Sequence, residues 1–427
     1  MNTISFDQLK EELMYEKLPN GLDVYILPKP GFNKTYATFT TKYGSIDNIF
    51  VPMKKSEYVH VPDGIAHFLE HKLFEKEDHD AFQLFSKQGA SSNAFTSFTR
   101  TAYLFSCTSN VDTNLSTLLD FVQSPYFTEK TVEKEKGIIG QEIQMYQDNP
   151  DWRLYFGLIE SMYEKHPVKI DIAGTIQSIS AITKDLLYEC YNTFYHPSNM
   201  LLFVVGPVDP VKMMDLIRDN QAKKNYSKQP EIKRSFEDEQ DEAATKKLVI
   251  PMSVQTSKCL VGIKGKSPKY TGREKLKYEM MISLLLDCLF GKSSSNYEQL
   301  YHDELIDDTF SYDYTEETSF GFAMIGGDTK DPDELAKRII TILLQTNDST
   351  LSEEVVARAK KKKIGGFLRS LNSPEYIANQ FTRYSFNGSN LFDVLSILEE
   401  ITAQDIWNAA NECIDEKRIS ICQIVSK

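Results

Sequence analysis

The sequence predicts an α+β protein of two homologous domains, each a mainly antiparallel sheet with helices packed on one face. Three observations predict it. Strand-patterned stretches precede helix-patterned stretches in blocks, which argues against a regular βαβ series. A charged stretch divides the chain near its middle, and the second half then resembles the first. With 427 residues and 41% apolar content, the chain exceeds one ordinary core, and two units of about 200 residues are the natural size.

The first half reads in order. Residues 16–28, EKLPNGLDVYILP, alternate around Asn20-Gly21, a hairpin signal whose Asn-Gly pair suits a type I′ turn. Residues 35–43, TYATFTTKY, keep the period of two. A helical period takes over at 64–75, and strand character returns at 93–108 in a run rich in Phe, Thr and Tyr. Residues 111–123 and 128–148 read as helices, the second opening on Thr128 as N-cap and ending before Pro150. A helix at 183–195 leads into MLLFVVG at 200–206, a buried strand.

Residues 220–247 are charged and poor in large apolar side chains, as an exposed linker would be. The expected division is therefore 1–219, a linker at 220–247, and 248–427. Across it, TVEKEKGIIGQEIQMYQDNP (131–150) aligns without a gap on VVARAKKKKIGGFLRSLNSP (355–374), and AITKDLLYEC resembles EITAQDIWNAA. IAHFLEHKLF falls on ISLLLDCLF with one residue fewer. These matches imply a duplicated domain.

Composition excludes several classes. A net charge of -13 repels nucleic acid and anionic lipid. No run of about 18 apolar residues occurs that could span a membrane, and the opening residues carry no signal-peptide pattern. Six scattered cysteines without a CxxC pair suit reduced thiols, so a cytoplasmic protein is expected.

The chemistry-bearing stretch is GIAHFLEHKLF at 64–74. On a helix, His67 and His71 share a face and can present two ring nitrogens to one ion. Glu70 borders that face, where a carboxylate could take a proton from an attacking water. The spacing is the zinc-protease signature HExxH in reverse, the H-x-x-E-H pattern. Ile65, Phe68, Leu69 and Leu73 make the helix apolar, so a satisfied pair of core histidines is the other reading. A catalytic zinc usually has three protein ligands. Glu135 and Glu142 lie seven apart on one face of the 128–148 helix, with Gly137 and Gly140 between them to admit another helix. Helical glutamates are also common surface residues, and the residues alone leave both readings open.

The chain resembles the inverted-motif zinc peptidases, the M16 family of pitrilysin, insulysin and mitochondrial processing peptidase, most closely in its short bacterial members. The resemblance rests on GIAHFLEHKLF, GASSNAFTSFTRTAY at 89–103, EKEKGIIGQEI at 133–143 and FYHPSNM at 194–200. It implies the LuxS/processing-peptidase-like metallohydrolase fold. It also implies zinc, one per chain, ligated by His67, His71 and Glu142, with Glu70 as general base. Glu135 would orient a ligand histidine. Asn93 and Ala94 would lie on an edge strand to which a peptide substrate adds as a further strand. Peptide hydrolysis inside a clamshell is the implied activity, with a non-catalytic scaffold subunit as the alternative and a metal hydrolase of non-peptide substrates as a third. In the second half the metal positions align with Leu284, Asp287, Cys288 and Gly366, so only the first domain is expected to hold metal.

One departure matters. Many members carry an Arg and a Tyr, seven apart, at the places equivalent to Glu135 and Glu142. Here those places hold Ala359 and Gly366, and Arg369 and Tyr376 are separated by Pro374. The expectation is a dimer, specifically a heterodimer with a paralogous subunit that lacks HxxEH and supplies this pair. Lys360 to Lys363 read as a solvated face, His60, His79 and His302 as surface or loop residues, and His166 and His196 as loop positions.

Overall fold

The computed structural model describes residues 1–266, 270–347 and 350–427. The chain divides into two compact units. The first comprises Met1–Ile143, Ile170–Phe236 and Ser370–Phe386, and the second Gln144–Lys169, Glu237–Arg369 and Asn387–Lys427. Each unit thus takes a segment from across the boundary expected at 220–247.

The first unit is built on a seven-stranded sheet. In chain order the strands are β1 (Asn2–Phe6), β2 (Glu11–Lys17), β3 (Asp23–Pro28) and β4 (Thr35–Thr41). A short pair, β5 (Ile49–Phe50) and β6 (Val59–His60), stands apart. The sheet resumes with β7 (Ser91–Thr96), β8 (Thr101–Cys107) and β9 (Met200–Gly206). Their order is β1-β2-β3-β9-β4-β8-β7. All neighbours are antiparallel except β3 and β9.

The second unit has β10 (Lys247–Met252), β11 (Ser257–Lys264), β12 (Ser311–Glu316), β13 (Gly321–Thr329) and β14 (Ile419–Ser426). Their order is β10-β14-β11-β13-β12, again with one parallel pair, β10 and β14. This is the order and direction of β3-β9-β4-β8-β7, so the halves share a topology, as the duplication in the sequence anticipates.

Why β9 lacks alternation follows from what covers the centre of the sheet. Both β4 and β9 are buried along their whole length. Phe39 and Tyr103 are register partners on one face, where Tyr103 meets Phe121 of α3 (below) at 5.7 Å between ring centres. The opposite face presents Tyr25 and Phe203. The helix Pro374–Phe386 covers it, with Phe381 4.7 Å from both rings. Buried on both sides, β9 reads as a continuous apolar run, whereas β4 keeps its alternation with Thr38 and Thr40 buried. The helices expected on one face are therefore joined by one from the other half of the sequence on the second face.

The helices that matter for the site come first in the chain: α1 (Ile65–Phe74), α2 (Ala81–Lys87), α3 (Val111–Val122) and α4 (Glu129–Gln147), followed by α5 (Pro150–Met162). Thr128 caps α4, its Oγ1 accepting the N–H of Thr131 at 3.2 Å. The segment carrying α5 belongs to the second unit, where Tyr163 just beyond it donates to Gly321 O at 2.6 Å.

Three local expectations need correction. The β2–β3 hairpin is present, but its turn is not type I′. Gly21 N–H bonds Leu18 O at 2.8 Å and Leu22 closes on Leu18, and only Gly21, at φ 92°, is left-handed. Pro19 has its preferred place at the second position of a type I turn, which is then followed by a glycine bulge. The stretch 220–247 is largely exposed, but it is anchored, notably at two points. Arg234 donates to buried Asp47 at 2.7 Å, and Glu239 accepts buried Lys264 at 2.6 Å and the N–H of Lys165 and His166 at 2.7 Å. Both contacts satisfy charges that burial would otherwise leave costly. The lysine run is a solvated face only in part, since Lys361 and Lys362 are exposed but the run also makes specific contacts. Lys360 reaches the carbonyls of Glu399 and Ile401, Lys362 pairs with Asp287 at 2.5 Å, and Lys363 bonds Ser283.

Candidate metal centre

Helix α1 is buried almost all round. Ile65, Ala66, Phe68, Leu69, Leu73 and Phe74 fill the core, and His67, Glu70 and Lys72 are buried with them. Its start is fixed by Gly64 at φ 86°, where a Cβ would sit 2.3 Å from Ala173 O. Only glycine tolerates both conditions. The helix is thereby held close to the chain at 173, and its polar side faces α4.

The helical spacing brings His67 and His71 together, their ring centres 4.6 Å apart. Across from them, on α4, lies Glu142. His67 Nε2 is 3.7 Å from one Glu142 oxygen and His71 Nε2 is 3.7 Å from the other. One donor atom from each of the three falls within 4.8 Å of the others. A separation of 3.7 Å is too long for a hydrogen bond. It lies near the separation of about 3.3 Å between two donors on one tetrahedral ion with bonds of about 2.0–2.1 Å.

Glu135 stands one side further along α4. Its Oε1 is 3.2 Å from His71 Nδ1, which leaves Nε2 of that ring directed at Glu142. A carboxylate on the distal nitrogen is the usual means of fixing a ligand histidine. His67 Nδ1 is buried with no hydrogen-bond partner among the described residues, so packing alone orients that ring. Lys72, fully buried, bonds Glu75 and lies 4.0 Å from Glu135. It brings a compensating positive charge beside the carboxylates. The sequence reading assigned Lys72 no part, although a lysine inside an apolar helix run was the available signal.

Burial, with the charge of His71 next, pushes the His67 imidazole down to about 4. The ring is therefore neutral at pH 7, as a metal ligand must be. Burial also disfavours protonated His71, but the bond to Glu135 and the charges of Glu70 and Glu142 outweigh it and hold His71 above the usual histidine value. Burial works against ionised Glu135, and the bond to His71 with Lys72 and Lys134 nearby keeps it below the usual range. For Glu70, burial dominates and raises the carboxyl, against a hydrogen bond from Thr96. A carboxylate raised in this way is a better proton acceptor. Two imidazoles, a carboxylate and a separate basic carboxylate make a donor set that fits zinc with one position left open.

A cavity of about 560 Å³ opens beside Glu70 and His71. Phe74, Phe82 and Ile138 line its apolar part, and Asn93 and Ala94 of β7 also border it. β7 is the last strand of the sheet. The N–H of Ala94 is bonded at 2.9 Å to the side chain of Asn93. His79 lines the same cavity but lies outside the ligand group, its Nδ1 2.5 Å from Asp78. His302 is exposed. His166 lies in a loop, as expected, but is buried there, bonded to Ser319 and to the N–H of Val168.

In the second unit, the position aligned with Glu70 holds Asp287, which bonds Tyr312 and pairs with Lys362. Arg369 lies in the last turn of the helix Glu353–Ser370 and Pro374 opens the next, Pro374–Phe386, so Arg369 and Tyr376 are on different helices.

Comparison with known proteins agrees with this architecture. A family model described as "Insulinase (Peptidase family M16)" matches residues 60–176, and one described as "Peptidase M16 inactive domain" matches 181–363. The chain is 65% identical over 424 residues to the "Uncharacterized zinc protease YmfH" of Bacillus subtilis strain 168, covering 99% of each. It is 26% identical over 419 residues to an "Uncharacterized zinc protease" of Rickettsia felis, covering 95% of each. The solved structure of an M16-like peptidase from Alicyclobacillus acidocaldarius superposes with a TM-score of 0.94 at 39% identity, over 98% of this chain and 99% of that one. No helix among the described residues is long and apolar enough to cross a membrane. The chain belongs to the peptidase M16 family.

Proposed function

We propose that the chain is a zinc-dependent peptidase hydrolysing extended peptides or small unfolded proteins, with His67, His71 and Glu142 as ligands and Glu70 as general base. The observation that carries this reading is the convergence of three donors on one point, with Glu70 and a cavity beside it. Zinc held there supplies Lewis-acid polarisation of the scissile carbonyl and eases deprotonation of the attacking water. Glu70 takes that water's proton and later delivers it to the leaving nitrogen. Glu135 keeps the His71 ring oriented. A peptide adding to β7 displaces the Asn93 side chain from the Ala94 N–H and takes that donor for its own backbone. Recognition of this kind reads main chain and suits unfolded substrates. The names of the relatives, which call them zinc proteases, support the same assignment.

A purely scaffolding role is favoured only by the "inactive domain" match. That match covers 181–363, whereas the converging residues lie at 67–142. Ala359 and Gly366 in place of an Arg–Tyr pair support a heterodimer in which a paralogous subunit supplies that pair, and six free cysteines support a cytoplasmic location. The test is a quenched-peptide library, applied to the purified chain and to whatever co-elutes with it from native lysate. Cleavage abolished by chelator and restored by zinc, and stronger with the co-eluting subunit, is expected. Full activity of the chain alone overturns the heterodimer, and absence of chelator-sensitive cleavage in every fraction overturns the peptidase.

A further inference from the structure

We propose that Thr96 is a positioning residue that fixes the Glu70 carboxylate and couples it to the peptide-receiving strand, an inference that rests on the reading of Glu70 as general base. Thr96 is the last residue of β7. Its Oγ1 donates to Glu70 Oε2 at 2.6 Å. A hydroxyl has one proton to give, and it goes to Glu70 Oε2, which fixes the carboxylate and leaves Oε1 the less engaged of its two oxygens. The strand that carries the hydroxyl is itself held by its pairing with β8. Thr96 and Thr101 are register partners across the β7–β8 hairpin, with their Oγ1 atoms 3.4 Å apart. Thr101, fully buried, donates to Tyr43 O at 2.9 Å. With the Thr101 proton given to Tyr43 and the Thr96 proton to Glu70, the two hydroxyls are in contact without a hydrogen bond. The base on α1 is thus tied to the sheet through one side-chain hydrogen bond. That bond comes from the strand carrying Asn93 and Ala94, so a peptide that orders β7 along its edge also steadies Glu70.

The test compares Thr96→Val, which keeps the shape and removes the donor, with Thr96→Ser, which keeps the donor. Charge-assisted hydrogen bonds are worth enough for Thr96→Val to lower kcat about 10- to 100-fold. KM, zinc content by elemental analysis and melting temperature should stay near the unsubstituted values. Thr96→Ser should recover kcat to within about 3-fold, on the same reasoning. In a Glu70→Gln background, Thr96→Val should cost little more, because Thr96 acts through Glu70. Unchanged kcat in Thr96→Val, equal losses in both variants, zinc loss, or a full additional loss in the Glu70→Gln background each overturns the proposal. Failure of Glu70 as base is read separately, from Glu70→Gln alone.

Discussion

Glu70→Gln should retain zinc and lose about 10²- to 10⁴-fold in kcat for peptide cleavage, the range that a positioned general acid–base contributes. The substitution changes little else. Glutamine has the size of glutamate, its carbonyl can still accept the hydroxyl of Thr96, and α1 keeps its apolar packing. What disappears is a group able to take a proton beside His71. Steady-state kinetics with elemental analysis on the same preparation checks this, and retained turnover would sink the assignment of Glu70.

His67→Ala should have the second large effect, on the metal itself. His67 is buried, neutral at pH 7 and directed at Glu142. Its removal takes one of the three proposed ligands and leaves two of the converging donors. Loss of a supporting residue behind a ligand costs about 10- to 100-fold in metal affinity. Loss of a ligand should exceed that, and competition with a chromogenic zinc chelator measures it. Cleavage should fall in parallel and should not return at moderate zinc. An affinity equal to that of the unsubstituted chain would remove His67 from the ligand set.

Legibility in the sequence depended on how local each contact is. His67 and His71 are one helical turn apart, so periodicity alone put them on one face. Glu142 is 75 residues from His67, and no spacing rule joins α1 to α4. Resemblance to a family linked them in advance, and the structure brings their donors together. Thr96 failed on the same ground, since its bond to Glu70 spans 26 residues and threonine is an ordinary strand residue. The strands and helices read in the first half, such as 128–148 and 200–206, have strong periods. The helix Pro374–Phe386 was not read from the sequence, and its place on the sheet of the first unit could not be, because an amphipathic pattern does not say which sheet it covers. Charge runs misled most. Lys360 to Lys363 and residues 234–239 look solvated by composition, yet Lys360 serves the carbonyl of Ile401, Lys363 the hydroxyl of Ser283, Arg234 buried Asp47 and Glu239 buried Lys264.

The central claim is that one metal lies between α1 and α4. Anomalous diffraction at the zinc edge, from crystals of the zinc-supplemented chain, tests it most directly. The account predicts one peak per chain, bounded by His67 Nε2, His71 Nε2 and the Glu142 carboxylate, with Glu135 on the far side of His71. No peak there, or a peak held by other residues while these three stay apart from it, would contradict it.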